Sequence, residues 1–234
     1  YKRTLLELGG NAGVIIEPDA DLETAVTRCV TGGFGYAGQT CISVQRIFVH
    51  QSHYDQFLQS FVEKVQLLPT GDPALETTVV GPLINEQAAI RVETWIQEAV
   101  SQGATLHTGG NRQSSVMEPT VLTNVSSTMK VCCEEIFGPV VTISPYTTLQ
   151  EALDRMNDSP FGLQAGIFTQ NIDAMYHTYA NLEVGAVLVN EIPTFRADHM
   201  PYGGVKQSGL GREGVRYAIQ ELTEPKLLIV KSPT

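Results

Sequence analysis

Strand and helix patterns that alternate along 234 residues predict an α/β protein: three layers, with a mostly parallel sheet between helices. Three observations carry that prediction. Short apolar runs of four or five residues recur, each suited to a strand buried on both faces. Between them, apolar residues repeat at helical spacing. Hydrophobic residues make up 42% of the chain, enough for the core of one domain of this length.

The elements follow in order. The run 12–16 reads as a buried parallel strand. Asp19 is expected to cap a helix that carries Leu22, Ala25, Val26, Cys29 and Val30 on one face, with Gly32 and Gly33 ending it. Another helix is expected to start at 41–45, ahead of a strand at 46–49. Ser52 and Asp55 resemble a capping box before a helix with Phe57, Leu58, Phe61, Val62 and Val65 aligned. A loop covers 69–85, a helix 86–102, and a strand 104–106. The stretch 117–122 holds Pro119 and reads as an edge or irregular strand. Strands at 140–143, 165–168 and 185–189 alternate with helices at 149–157 and 173–180. The last apolar run, 227–230, reads as a strand without an evident partner in the chain.

Charge and cysteine usage narrow the function classes. With 15 basic and 25 acidic side chains the formal net charge is −10, which disfavours nucleic acid and anionic membrane surfaces. No apolar run approaches membrane-spanning length, and no secretory signal pattern opens the chain. The four cysteines fit no metal-ligand spacing, so no metal is expected. Cys29 reads as core, and Cys132 and Cys133 as reduced, buried thiols of an intracellular, cytoplasmic protein.

Two residues stand out chemically. Cys41 follows a glycine-rich run, 32–38, where the backbone must turn sharply or approach a ligand. A helix starting there would lower the thiol pKa and make it a nucleophile; an inert buried cysteine is the competing reading. Glu7 precedes Leu8-Gly9-Gly10 in a turn, where part burial would raise its pKa towards that of a water-activating base. A surface acid is the alternative. Asn190 sits at a strand's C-terminal end, as a ligand group or a turn residue, and Lys206 reads as a solvated lysine.

Four motifs stand in one order: Glu7-Leu8-Gly9-Gly10; Gly38-Gln39-Thr40-Cys41, its cysteine 34 residues beyond Glu7; Glu134-Glu135-Ile136-Phe137-Gly138-Pro139; and Pro201-Tyr202-Gly203-Gly204 with Lys206, Ser208 and Gly209. Together they span nearly the whole chain and resemble the NAD(P)-dependent aldehyde dehydrogenase superfamily. The resemblance implies a catalytic domain of that type over 1–221 and an oligomerisation arm over 222–234, whose strand would join a homo-oligomer. It also implies a cofactor-binding domain that lies outside this chain, because family members are far longer. The implied reaction is oxidation of a small-molecule aldehyde to an acid through a cysteine thioester, with NAD or NADP accepting hydride.

In that scheme Cys41 is the nucleophile and Glu7 the base that activates water. Glu135 would accept hydrogen bonds from the nicotinamide ribose, with Phe137 packed near the ring. Tyr36, Thr40 and Ile42 flank the thiol, and Phe195, Arg196 and His199 lie in the loop before Pro201. An Arg-plus-His loop suits a carboxylate, hydroxyl or phosphate on the aldehyde, although a surface Arg and a structural His read equally well. The run 192–200 resembles lactaldehyde and semialdehyde dehydrogenases. By itself the chain is expected to be inactive as a dehydrogenase. Two readings compete: a fragment that only folds and oligomerises, and a thiol esterase or hydrolase pairing Cys41 with a histidine.

Overall fold

A computed structural model describes residues 2–232. The chain opens with β1 (Leu6–Glu7), β2 (Ala12–Ile16), α1 (Leu22–Phe34), β3 (Val44–His50), α2 (Tyr54–Gln66) and α3 (Glu86–Ser101). It continues through β4 (Thr105–Thr108), β5 (Arg112–Gln113), β6 (Val116–Met117), β7 (Thr120–Thr123), α4 (Lys130–Cys133), β8 (Val140–Tyr146) and α5 (Leu149–Asn157). Then come β9 (Phe161–Gly162), β10 (Gln164–Phe168), α6 (Ile172–Asn181), β11 (Ala186–Val189), β12 (Val205–Lys206), β13 (Gly209–Leu210) and α7 (Val215–Leu222).

Seven strands form the central sheet in the order β11-β10-β2-β3-β8-β7-β4. All neighbours pair in parallel except β4 and β7, so the sheet is mostly parallel, as the sequence predicts. One face packs Val26, Phe34, Phe57, Phe61, Val92 and Ile96 of α1, α2 and α3 against Val14, Val49 and Ile143. The other packs Ala152, Leu153 and Met156 of α5 against Ile15, Phe48 and Ile167. Burial of each large side chain contributes about 1.5–3 kcal/mol. Among the described residues, no helix is long and apolar enough to cross a membrane.

Several local expectations are corrected. Asp21, not Asp19, caps α1, accepting from the Thr24 N–H at 3.2 Å. Asp19 instead ties the end of β10, through the Thr169 hydroxyl at 2.8 Å and the Gln170 N–H at 3.0 Å. Gly32 and Gly33 lie inside the last turns of α1 rather than ending it. A Cβ on Gly32 would sit 2.8 Å from Val44, and one on Gly33 2.6 Å from Val141, so bare backbone lets α1 settle onto β3 and β8.

Ser52 bonds the His50 ring instead of capping α2, whose N-cap position is His53 without a side-chain cap bond. The proline breaks 117–122 into β6 and β7, and β7 lies inside the sheet between β8 and β4 rather than at an edge. No strand forms at 227–230, where the four apolar side chains are exposed.

Arg46 of β3 is buried with carbonyl partners: Asn11 O at 3.0 Å, Met156 O at 3.2 Å and Arg155 O at 3.2 Å. It fastens the loop after β1 to α5. That loop is where the chemistry-bearing segments meet.

Candidate active site

Cys41 does not begin a helix. After α1 the chain turns through Tyr36 and Ala37, both in the left-handed region (φ 52° and 54°), and Gly38 (φ 70°), then reaches β3 through a turn at Cys41-Ile42. A Cβ on Gly38 would lie 2.1 Å from Gly138 O, so glycine is required for the two loops to touch. Phe137, beside that contact, is also left-handed at φ 46° and part exposed. Such conformations cost a non-glycine residue about 1–3 kcal/mol and cluster where ligands are clamped.

The Glu7–Gly10 motif closes on both loops. A Cβ on Gly10 would lie 1.9 Å from Cys41 O, and one on Gly9 would lie 2.6 Å from Glu135 Oε2. The Gly10 N–H donates to Glu135 Oε1 at 2.8 Å. Two amides hold the Glu134–Ile136 segment in place. Asn11 Nδ2 donates to Cys132 O and Glu134 O, while Gln45 Nε2 donates to Glu134 O at 2.8 Å and Gln45 Oε1 accepts from the Ile136 N–H.

Gly10→Ala therefore forces backbone apart at Cys41. We expect a loss of about 1–3 kcal/mol from overpacking, visible as a lowered Tm, together with slower alkylation of Cys41. A variant with unchanged Tm and unchanged Cys41 reactivity would show that the two backbones are not in contact.

The fourth motif supplies a contact that the sequence reading did not assign. Tyr202 is buried, and its hydroxyl lies 3.4 Å from Cys41 Sγ. A two-way bridge with Glu213 fixes its backbone: Tyr202 N–H to Glu213 O at 3.1 Å, Glu213 N–H to Tyr202 O at 2.6 Å. Arg196 lies over the Tyr202 ring, 4.2 Å from its centroid, and donates to Glu213 Oε2 at 2.9 Å. The signal for Tyr202 was present, since it stands in the Pro-Tyr-Gly-Gly motif; what was hidden was the partner 161 residues away.

Electrostatics here run against the sequence expectation for the thiol. Burial pushes the Cys41 pKa up, the Tyr202 hydrogen bond opposes this, and the charges of Glu7 and Glu135 push it further up. With no helix start at Cys41, the dipole that would have lowered it is not there. Glu7 is exposed rather than part buried, yet its pKa is raised, first by desolvation and then by Glu213, with Arg196 opposing. Its strand, β1, pairs antiparallel with β13, placing Glu7 opposite Gly209. Glu135 is half-buried and shifted up by desolvation, against the Gly10 N–H and Arg91.

The remaining candidates are scattered around this centre. Tyr36 and Phe195 are exposed, Ile42 is half-buried, and Thr40 Oγ1 is buried without a hydrogen-bond partner among the described residues. His199 is exposed and makes no hydrogen bond among the described residues. Asn190 lies in a turn, left-handed at φ 54°, and its Oδ1 accepts from the Thr169 N–H at 3.0 Å. Lys206 is not free in solvent but clamps Glu183 at 2.6 Å and the carbonyls of Asn157 and Ser159.

Residues 1–228 match the sequence profile described as Aldehyde dehydrogenase family. The chain belongs to the aldehyde dehydrogenase family. It is 45% identical over 229 residues to a 3-sulfolactaldehyde dehydrogenase of Priestia aryabhattai, covering 98% of this chain and 48% of that protein. Aldehyde dehydrogenase 21 from Physcomitrella patens, solved with the reaction product succinate, superposes with a TM-score of 0.96 at 43% identity, over 98% of this chain and 48% of that one. Glyceraldehyde-3-phosphate dehydrogenase GapN from Methanocaldococcus jannaschii, solved with NADP, gives a TM-score of 0.90 at 43% identity, over 93% and 47%. The chain thus spans about half the length of the aldehyde dehydrogenases it matches.

Proposed function

We propose that the chain is the catalytic half of a dehydrogenase that oxidises an aldehyde carrying an acidic group to the carboxylic acid, through a thioester on Cys41. The observation that carries this reading is the convergence of Cys41, the Glu7–Gly10 loop, Glu135 and Tyr202 on one site. The thiolate of Cys41 attacks the aldehyde carbon; a C–S bond forms and the carbonyl electrons move onto oxygen. The Cys41 backbone N–H, which favours negative charge beside the sulfur, is the donor assigned to the developing oxyanion. NAD or NADP, when bound, supplies the acceptor for the hydride that leaves this carbon.

Glu7 acts on the resulting thioester. It takes a proton from water as the oxygen attacks, the C–S bond breaks, and the acid leaves with the thiolate restored. Glu135 is built to hold the nicotinamide end of the cofactor. Its Oε1 is fixed by Gly10, while its Oε2 has no hydrogen bond among the described residues and is left to accept from a ribose hydroxyl. Phe137, strained and part exposed, supplies an apolar surface beside it.

The acidic-substrate reading is supported by Arg196, an exposed guanidinium that is paired with Glu213 and stacked on the tyrosine that touches the thiol. The relatives named above act on a sulfonate-bearing aldehyde, hold succinate, or act on a phosphate-bearing aldehyde. The exposed run Leu227, Leu228, Ile229 and Val230 suits an arm that packs against another subunit of a homo-oligomer. Four free cysteines suit the reducing cytoplasm.

The deciding experiment is aldehyde oxidation by the intact protein carrying Cys41→Ser, where retained activity overturns the reading. A second measurement tests the division of labour. We expect calorimetry on the 234-residue chain to detect no NAD or NADP binding in the micromolar range, because nicotinamide contacts alone do not offset an ordering cost of about 4 kcal/mol or more. Micromolar binding would place a complete cofactor site within these residues.

A further inference from the structure

The scheme above gives Tyr202 no task, although it is the side chain hydrogen-bonded to the Cys41 sulfur. Packing alone would be served by phenylalanine. A buried hydroxyl is costly unless it finds a partner, and here the partner is a sulfur, a weak acceptor while protonated and a strong one when ionised. We propose that Tyr202 is a positioning residue for the Cys41 thiolate: its hydroxyl donates an O–H···S bond that aims the sulfur and favours its ionised form, and Arg196 stacked on the ring strengthens the donation. The role rests on Cys41 being the nucleophile, as proposed above.

The direction of the bond follows from the groups around it. Glu7 on β1 and Glu135 beyond α4 both oppose a negative charge on the sulfur, as does burial. Tyr202 and the Cys41 N–H favour it. Burial, the bond to Cys41 and the nearby negative charges hold the Tyr202 phenol well above its usual range, so it keeps its proton and acts as donor when Cys41 ionises. Arg196, 4.2 Å above the ring and tethered to Glu213, acts in the opposite sense on that phenol and makes its O–H more polar. The Glu213 bridge ties the tyrosine backbone and the arginine side chain to one residue.

The test is the pH dependence of Cys41 alkylation by iodoacetamide, a neutral probe that needs neither aldehyde nor cofactor. Peptide mass spectrometry separates Cys41 from Cys133, whose profile serves as the internal control. With Tyr202→Phe we expect the Cys41 midpoint to rise by about half a pH unit or more, which is about threefold slower alkylation below the midpoint. Arg196→Gln should shift it in the same direction by less. Site-specific 3-fluorotyrosine at position 202, a more acidic phenol, should move it down.

A purely structural role would change the rate without moving the midpoint. A midpoint unchanged in Tyr202→Phe, with the Cys133 profile intact, overturns the proposal. The dehydrogenase reading is judged separately, by aldehyde oxidation in the Cys41→Ser protein, so either can fail without the other.

Discussion

Cys41→Ser is expected to lower aldehyde oxidation by the intact protein at least about 10³-fold, equivalent to about 4 kcal/mol of lost transition-state stabilisation. The size of the effect comes from the environment of the sulfur. Burial and the charges of Glu7 and Glu135 already hold the thiol above its ordinary value of 9.0. A serine hydroxyl ionises far less readily than a thiol, and the same surroundings would suppress its alkoxide further. Oxygen for sulfur at a half-buried turn changes little volume, so far-UV circular dichroism and Tm should stay close to wild type.

The unmodified thiol is expected to carry a matching pH signature. Only the ionised sulfur attacks, and a raised thiol pKa means less thiolate at any fixed pH. The rate of thiol alkylation should therefore climb with pH through and beyond 9.0 rather than level off near neutrality. A plateau below pH 8 would mean that the site stabilises the thiolate far more than burial and two carboxylates allow.

How much of this was legible in the sequence depends on the range of the interactions that decide each feature. The alternation of β2, α1, β3 and later elements was readable because apolar periodicity reports which face is buried, and burial fixes both type and order. Asp19 and Asp21 are both capping residues two positions apart, and no local rule chooses between them; the contact from Asp19 to Thr169 and Gln170, just beyond the end of β10, does. The expected helix at Cys41 failed for a similar reason. Tyr36 and Ala37 are not residue types that advertise a left-handed backbone, yet they adopt one where Gly38 meets Gly138, and the chain then enters β3 through the turn at Cys41-Ile42.

The candidate site shows the same division. Cys41 and Glu7 stand out in the sequence by residue type beside glycine-rich turns and Glu135 only through the family resemblance, and the glycines explain how they approach: Gly10 against Cys41 O, Gly9 against Glu135. The part burial expected of Glu7 was not found, because β1 lies in a two-stranded pair with β13 outside the central sheet. No role for Tyr202 or Glu213 is legible in the sequence, since the contact of Tyr202 with Cys41 exists only once segments 161 residues apart are brought together. Arg196 was noticed as a possible anion binder, but its stacking on Tyr202 and its tie to Glu213 are properties of the folded loop.

Glu7→Gln is expected to separate the two halves of the reaction. The amide keeps the size and shape of the side chain but has no proton affinity with which to activate water. Formation of the thioester should proceed, giving a burst of reduced cofactor equal to the number of sites. Its hydrolysis should then slow by about 10²-fold, within the range that a positioned general base contributes. The acid limb of the wild-type profile supplies a second check. Desolvation and Glu213 raise the Glu7 pKa above 4.5, so the carboxyl takes up its proton, and the base is lost, at a higher pH than for a free glutamate. Steady-state turnover should fall as pH drops through that raised value, and the limb should vanish in Glu7→Gln. Stopped-flow measurement decides the matter: a missing burst would move Glu7 to a step before thioester formation, and an unchanged steady state would remove it from the chemistry altogether.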